Sequence, residues 1–83
     1  MYEVIFSDLA KKQFSKLERS IQEQIGKSIE RIKIRPEHFV ERLVGQSGYK
    51  LRAGDYRIIL EIFKDKLLIL VVEIGHRKKV YKS

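Results

Sequence analysis

Lys50, Arg52 and Arg57 fall within one stretch, Tyr49-Lys50-Leu51-Arg52-Ala53-Gly54-Asp55-Tyr56-Arg57-Ile58-Ile59-Leu60. His76, Arg77, Lys78, Lys79 and Lys82 crowd the end of the chain, with Tyr81 among them. Guanidinium groups stay charged at any working pH and grip phosphate oxygens bidentately. A lysine adds a compact point charge, and a histidine can pass a proton near neutral pH. Together these side chains suit binding of a phosphodiester and stabilisation of the charge that develops as it breaks. The reading is that the two segments form one cationic site for RNA. Each cation taken singly also suits a solvated basic rim. It is their gathering, costly without an anion, that favours a site. Tyr49, Tyr56 and Tyr81 are candidates for base stacking, though the alternation puts Tyr49 and Tyr56 on a core face.

Composition points the same way. The chain has 83 residues and a formal net charge of +7, which favours polyanion partners through counterion release and steering. Its length suits one domain spanning 1–83 with a modest core. The absence of cysteine excludes a disulfide framework and a cysteine-ligated metal, and suits a reducing cytoplasm. No spacing suggests a metal site or a cofactor, and no paired carboxylates, Ser-His-Asp set or Gly-rich phosphate loop is present. The N-terminus does not read as a signal peptide. The apolar run from Leu67 to Ile74 is too short to span a bilayer. A cytoplasmic protein with no membrane partner is expected.

The elements that must position the cations follow from periodicity. Tyr2, Val4 and Phe6 alternate as one face of a strand. Ser7 or Asp8 offers a helix cap, and Leu9, Ala10, Phe14 and Leu17 form the apolar stripe of a helix of about three turns. Ser20-Ile21-Gln22-Glu23 fits a capping box. Ile21, Ile25, Ile29 and Ile32 then give a second amphipathic helix, ending before Pro36. Gly26 within it suggests close packing against the first helix. Residues 36 to 47 read as a loop tacked down by Phe39, Leu43 and Val44.

Gly54-Asp55 reads as a two-residue hairpin turn. It pairs Ala53 with Tyr56 and Arg52 with Arg57. Leu51 and Ile58 then share the core face, and Lys50, Arg52 and Arg57 share the opposite one. The run Leu67–Ile74 is apolar on both faces, as for a central strand, between the hairpin and the first strand. The expected fold is α+β. An N-terminal strand is followed by an antiparallel helical hairpin packed on one face of a small antiparallel sheet, in the order β-α-α-β-β-β. The open face carries the arginines, and Lys50, Arg52, Arg57, His76 and Arg77 converge at one end of the sheet.

At this point the chain resembles a known family. Gly45-Gln46-Ser47-Gly48-Tyr49-Lys50-Leu51-Arg52-Ala53-Gly54-Asp55-Tyr56-Arg57-Ile58-Ile59 and Gly75-His76-Arg77-Lys78-Lys79-Val80-Tyr81 are similar to two blocks of the RelE/ParE superfamily of toxins. The resemblance covers essentially the whole chain. It implies the toxin of a toxin–antitoxin pair that cleaves mRNA in the ribosomal A site without a metal, by attack of a ribose 2′-OH on the adjacent phosphate. It implies Lys50, Arg57, Arg77 and Tyr81 as catalytic, and the reading of the residues adds His76 as a candidate acid or base. Arg52, Lys78, Lys79 and Lys82 would bind RNA. It also implies a RelB-like antitoxin, the ribosome and mRNA as partners, and operator DNA only through the antitoxin complex. The RelE pattern carries a second lysine two positions before the first. That position here is Gly48, which leaves the base and acid open and gives His76 more weight. Two alternatives stand beside this: a ParE-like poison of DNA gyrase acting by protein contact, and a catalytically silent member that binds antitoxin and operator.

Overall fold

The Gly54-Asp55 turn fixes the register of the sheet. Gly54 sits at φ 61°, a left-handed conformation that glycine adopts without strain and that suits the first position of a Gly-X hairpin loop. The flanking strands pair as the turn dictates: Ala53 with Tyr56, Arg52 with Arg57, Leu51 with Ile58. This is the register expected from the sequence.

The computed structural model describes residues 1–76. The chain runs β1 (Glu3–Phe6), α1 (Asp8–Ser15), α2 (Arg19–Ile34), a 3-10 turn (Pro36–His38), β2 (Val40–Arg42), β3 (Tyr49–Ala53), β4 (Tyr56–Phe63) and β5 (Leu68–His76). The strands lie in the order β1-β5-β4-β3-β2. The α+β class holds, and β5 is central as its apolar run requires. Two features differ from expectation. The sheet is mixed, because β1 runs parallel to β5. It also has a fifth strand, since Val40–Arg42 pairs with Tyr49–Leu51 where a loop was expected. Phe39 and Val44, expected to tack that loop down, are exposed instead.

Both helices pack on one face. Ser7 caps α1, its Oγ accepting from Ala10 N–H at 3.0 Å and donating to the Val72 carbonyl at 2.7 Å. One hydroxyl thereby ties the helix start to the sheet. The helix is only eight residues long, short of the expected three turns. Ala10 is buried, but Leu9 lies half exposed on the far side of so short a helix. The Gln22 side-chain amide donates to the Phe14 carbonyl at 2.8 Å and links the helices. Helix α2 starts two residues early, at Arg19 behind Glu18. Ser20 therefore sits inside the first turn, and the capping box is not its cap.

Ile25, Ile29 and Ile32 bury their side chains beneath α2 against Leu51, Ile58, Leu60, Ile69, Val71 and Ile74. Each fully buried isoleucine or leucine contributes roughly 1.5–3 kcal/mol. Gly26 does not mark a close approach. A Cβ built there meets nothing within 4 Å. Gly26→Ala is therefore expected to raise unfolding free energy by about 0.5–1 kcal/mol. Urea denaturation checks it, and a loss of stability would mean that the helix needs a glycine there for a reason the packing does not show. Among the described residues no helix is long and apolar enough to cross a membrane.

Candidate nucleic-acid interface

Strand alternation sorts the hairpin side chains onto two faces. Tyr49, Leu51 and Ala53 of β3, with Tyr56, Ile58 and Leu60 of β4, pack toward the core beneath the helices. Lys50, Arg52 and Arg57 share the open face. Arg52 lies directly opposite Arg57 and is exposed, whereas Arg57 is only 7% exposed. On its other side Arg57 faces Gly75. A glycine there leaves space above the strand in which a long side chain can lie. Like charges directly across a ladder are destabilising, so an anion bound between Arg52 and Arg57 would relieve the pair. Lys50 stands two pairs further along the ladder, opposite Ile59 and 3.5 Å from Glu41 of β2.

The last strand reaches the same end of the sheet but does not deliver every expected side chain to the same face. Ile58 pairs with Ile74 and Ile59 with Glu73, but Leu60 pairs with Val71. Val72 is thus an extra residue, a β-bulge. A bulge reverses the alternation beyond it. Ile69 and Val71 face the core before the bulge, and Ile74 faces it after. His76 therefore lies on the helix side, packed edge-to-face on Tyr56 with ring centroids 5.5 Å apart. It lines a cleft of about 430 Å³ with Gln13, Lys16 and Leu17. The expected convergence of His76 with Lys50, Arg52 and Arg57 holds for the end of the sheet and not for the face. Arg77, Lys78, Lys79, Tyr81 and Lys82 lie outside the described residues.

The open face also holds features that the sequence reading missed. A cleft of about 640 Å³ lies beside Lys50, floored by Ile59 and Val72 and walled by Arg42 and the 43–47 loop. The Arg42 side chain itself lies on the helix side, where Arg42 pairs with Tyr49 and its guanidinium sits over that ring, 5.7 Å from the centroid. Glu61 and Glu73 line the same cleft. The alternation of β4 could have placed Glu61 there, but the phase of an all-apolar strand could not have placed Glu73. Gly48 closes the cleft's loop at φ 108°, and a Cβ there would lie 3.3 Å from Glu61 Oε2, Leu43 Cδ1 and the Leu60 carbonyl. A side chain at position 48 would be strained twice over, which gives a physical reason why no lysine stands there. Among the described residues no three His, Asp or Glu side chains gather to hold a metal ion.

The same set of strands and helices has counterparts among known proteins. The model of the ParE toxin of type II toxin–antitoxin systems, parDE, matches residues 4–81. The chain belongs to that family. This ParE-family member is 31% identical over 81 residues to a RelE-like toxin protein of Escherichia coli, a match covering 94% of the chain and 85% of the relative. It is 26% identical to the mRNA interferase toxin RelE of Escherichia coli K12 over the same shares. Among solved structures, the intact Escherichia coli RelBE toxin–antitoxin complex holds a chain that superposes with a TM-score of 0.76 at 26% identity, covering 92% of this chain and 96% of that one. The toxin is thus a member of the RelE/ParE superfamily, in accord with the resemblance of its two sequence blocks.

Proposed function

We propose that this toxin is a ribosome-dependent endoribonuclease that cleaves mRNA in the A site. The observation that carries the reading is the open-face set Lys50, Arg52 and Arg57, with the buried Arg57 paired on one side with Arg52 and on the other with Gly75. In this reading a ribose 2′-OH attacks the adjacent phosphorus, the bond to the 5′-oxygen breaks, and a cyclic phosphate remains. Negative charge builds on the phosphoryl oxygens. Arg57, already desolvated and fixed, stabilises it without reorganising. Lys50 stands on the same face, where it can serve the 2′-OH or the leaving oxygen. Arg77 and Tyr81 complete the site in the family pattern. His76 packs on Tyr56 behind the sheet, so we place it outside the phosphate site. No step of this mechanism calls for a metal.

The partners proposed are the ribosome with its mRNA and a RelB-like antitoxin, the latter supported by the RelBE complex among the structural relatives. Operator DNA would be met through the antitoxin complex. The match to a ParE family model favours a second reading, a gyrase poison that acts by protein contact.

Mapping mRNA ends by primer extension, on ribosomes programmed with an empty A site, separates the two. The nuclease reading expects cuts confined to the A-site codon, and their loss in Arg77→Ala. Intact mRNA with the wild-type protein, together with inhibited supercoiling by gyrase, would transfer the assignment to the second reading.

A further inference from the structure

The cleft beside Lys50 is not explained by phosphate binding, because two carboxylates, Glu61 and Glu73, line it. Glu61 is engaged by the cleft's own loop, with Ser47 Oγ 3.4 Å from its Oε2. Glu73 comes from the other wall, and the bulge is what puts it there. Val72 and Glu73 are successive residues that both line this cleft, which regular alternation would forbid. Bulges occur preferentially beside active sites, where they re-aim a side chain. Glu73 is paired across the ladder with Ile59, one alternation step from the Arg57–Gly75 pair. That step is about 7 Å along the strands, the scale on which a base lies from its own phosphate.

The shape and chemistry suit a flat, partly apolar ligand. The cleft's 640 Å³ falls within the roughly 300–1,000 Å³ usual for small-ligand sites. Ile59 and Val72 supply an apolar floor. A carboxylate repels phosphate but accepts hydrogen bonds from the exocyclic amino groups of bases.

We propose that this cleft is a nucleobase site, and that Glu73 selects there a base bearing an amino group over uracil. The proposal rests on the endoribonuclease reading and extends it to specificity. An unpaired base splayed from the A-site codon would lie on Ile59 and Val72 while its phosphate meets Arg57. The Glu73 carboxylate would accept from N4 of cytosine, N6 of adenine or N2 of guanine. Uracil has no such amine.

The test measures single-turnover cleavage on ribosomes whose A-site codon is varied one base at a time, with wild-type protein, Glu73→Gln and Glu73→Ala. With the wild type, one codon position should show cytosine preferred over uracil by about tenfold or more. Both variants should flatten that ratio at the same position while leaving ratios at the other positions alone. The within-protein ratio is independent of how much of a variant is folded. A wild-type enzyme with no amino-base preference at any position overturns the proposal, as does a preference that survives in both variants. Either result leaves the nuclease reading standing. Failure of the wild type to cut any codon overturns that reading and this proposal together. Nuclear magnetic resonance titration with cytidine and uridine monophosphates reads the site directly. Equal shifts of the Glu73 and Val72 amides by both nucleotides would count against selection.

Discussion

Arg57→Ala is expected to lower the rate of A-site cleavage by at least about 100-fold, the scale seen when a preorganised donor to a developing oxyanion is removed. The loss should fall on the chemical step more than on ribosome binding, because Arg57 is buried and in the proposed mechanism would meet the substrate at one phosphate. Arg57→Lys should recover little. An ammonium cannot reproduce the planar, two-pronged grip of a guanidinium. The fold should survive, since the substitution removes a charge facing Arg52 and leaves the helix-side core intact. Single-turnover cleavage paired with thermal melting makes the check. A variant that melts within about 5 °C of wild type and cuts within threefold of it would remove Arg57 from the mechanism.

The neighbouring residue should behave in the opposite way. Ile58→Ala should destabilise the protein by roughly 2–5 kcal/mol through lost burial and the cavity left behind. Ile58 is fully buried, paired on one side with Leu51 and on the other with Ile74, beneath α2. A protein of this size holds about 5–15 kcal/mol in all, so the variant should unfold at markedly lower urea concentration. Whatever fraction remains folded should keep wild-type specific activity, because Ile58 points away from the open face. A loss below about 1 kcal/mol would show that the core closes over the missing atoms or that Ile58 is not at its centre. Two adjacent residues with opposite expected effects, one on cleavage and one on stability, follow from the two-residue period of a strand.

That period explains what the sequence made legible. The Gly54-Asp55 turn has two residues and a glycine where φ must be positive, so it sets the pairing of Leu51 with Ile58 and hence the grouping of Lys50, Arg52 and Arg57. The four isoleucines at steps of four and three mark α2 just as firmly. Where local signals were short or uniform, the reading lost its footing. Val40-Glu41-Arg42 is three residues long and alternates too briefly to separate a strand from a loop. Nothing local in Tyr2–Phe6 states whether it pairs parallel or antiparallel, since that depends on where the helices return the chain. Leu67 belongs to the turn, at φ 51°, though its side chain reads as strand. Most consequentially, Leu68–Val72 is apolar at every position, so it carries no phase. The bulge at Val72 could not be seen, and with it the face of His76 and the placement of Glu73 were hidden.

The parallel seat of β1 against β5 has a consequence for the order of events during synthesis. Glu3 meets Leu68 and Phe6 meets Val71, and the Ser7 hydroxyl waits for a carbonyl 65 residues later in the chain. At roughly 5–20 residues per second, translation delivers that partner about 3 to 13 s after β1 has been made. Gly75, the residue beside Arg57, arrives later still. Contacts this distant in sequence also slow the final search once the chain is whole. The strand made first and the cleft that Glu73 completes must therefore wait for the same late residues. The protein becomes a folded toxin only once β5 has been made, and a chain cut short before β5 would lack both the partner of its first strand and one wall of its cationic face.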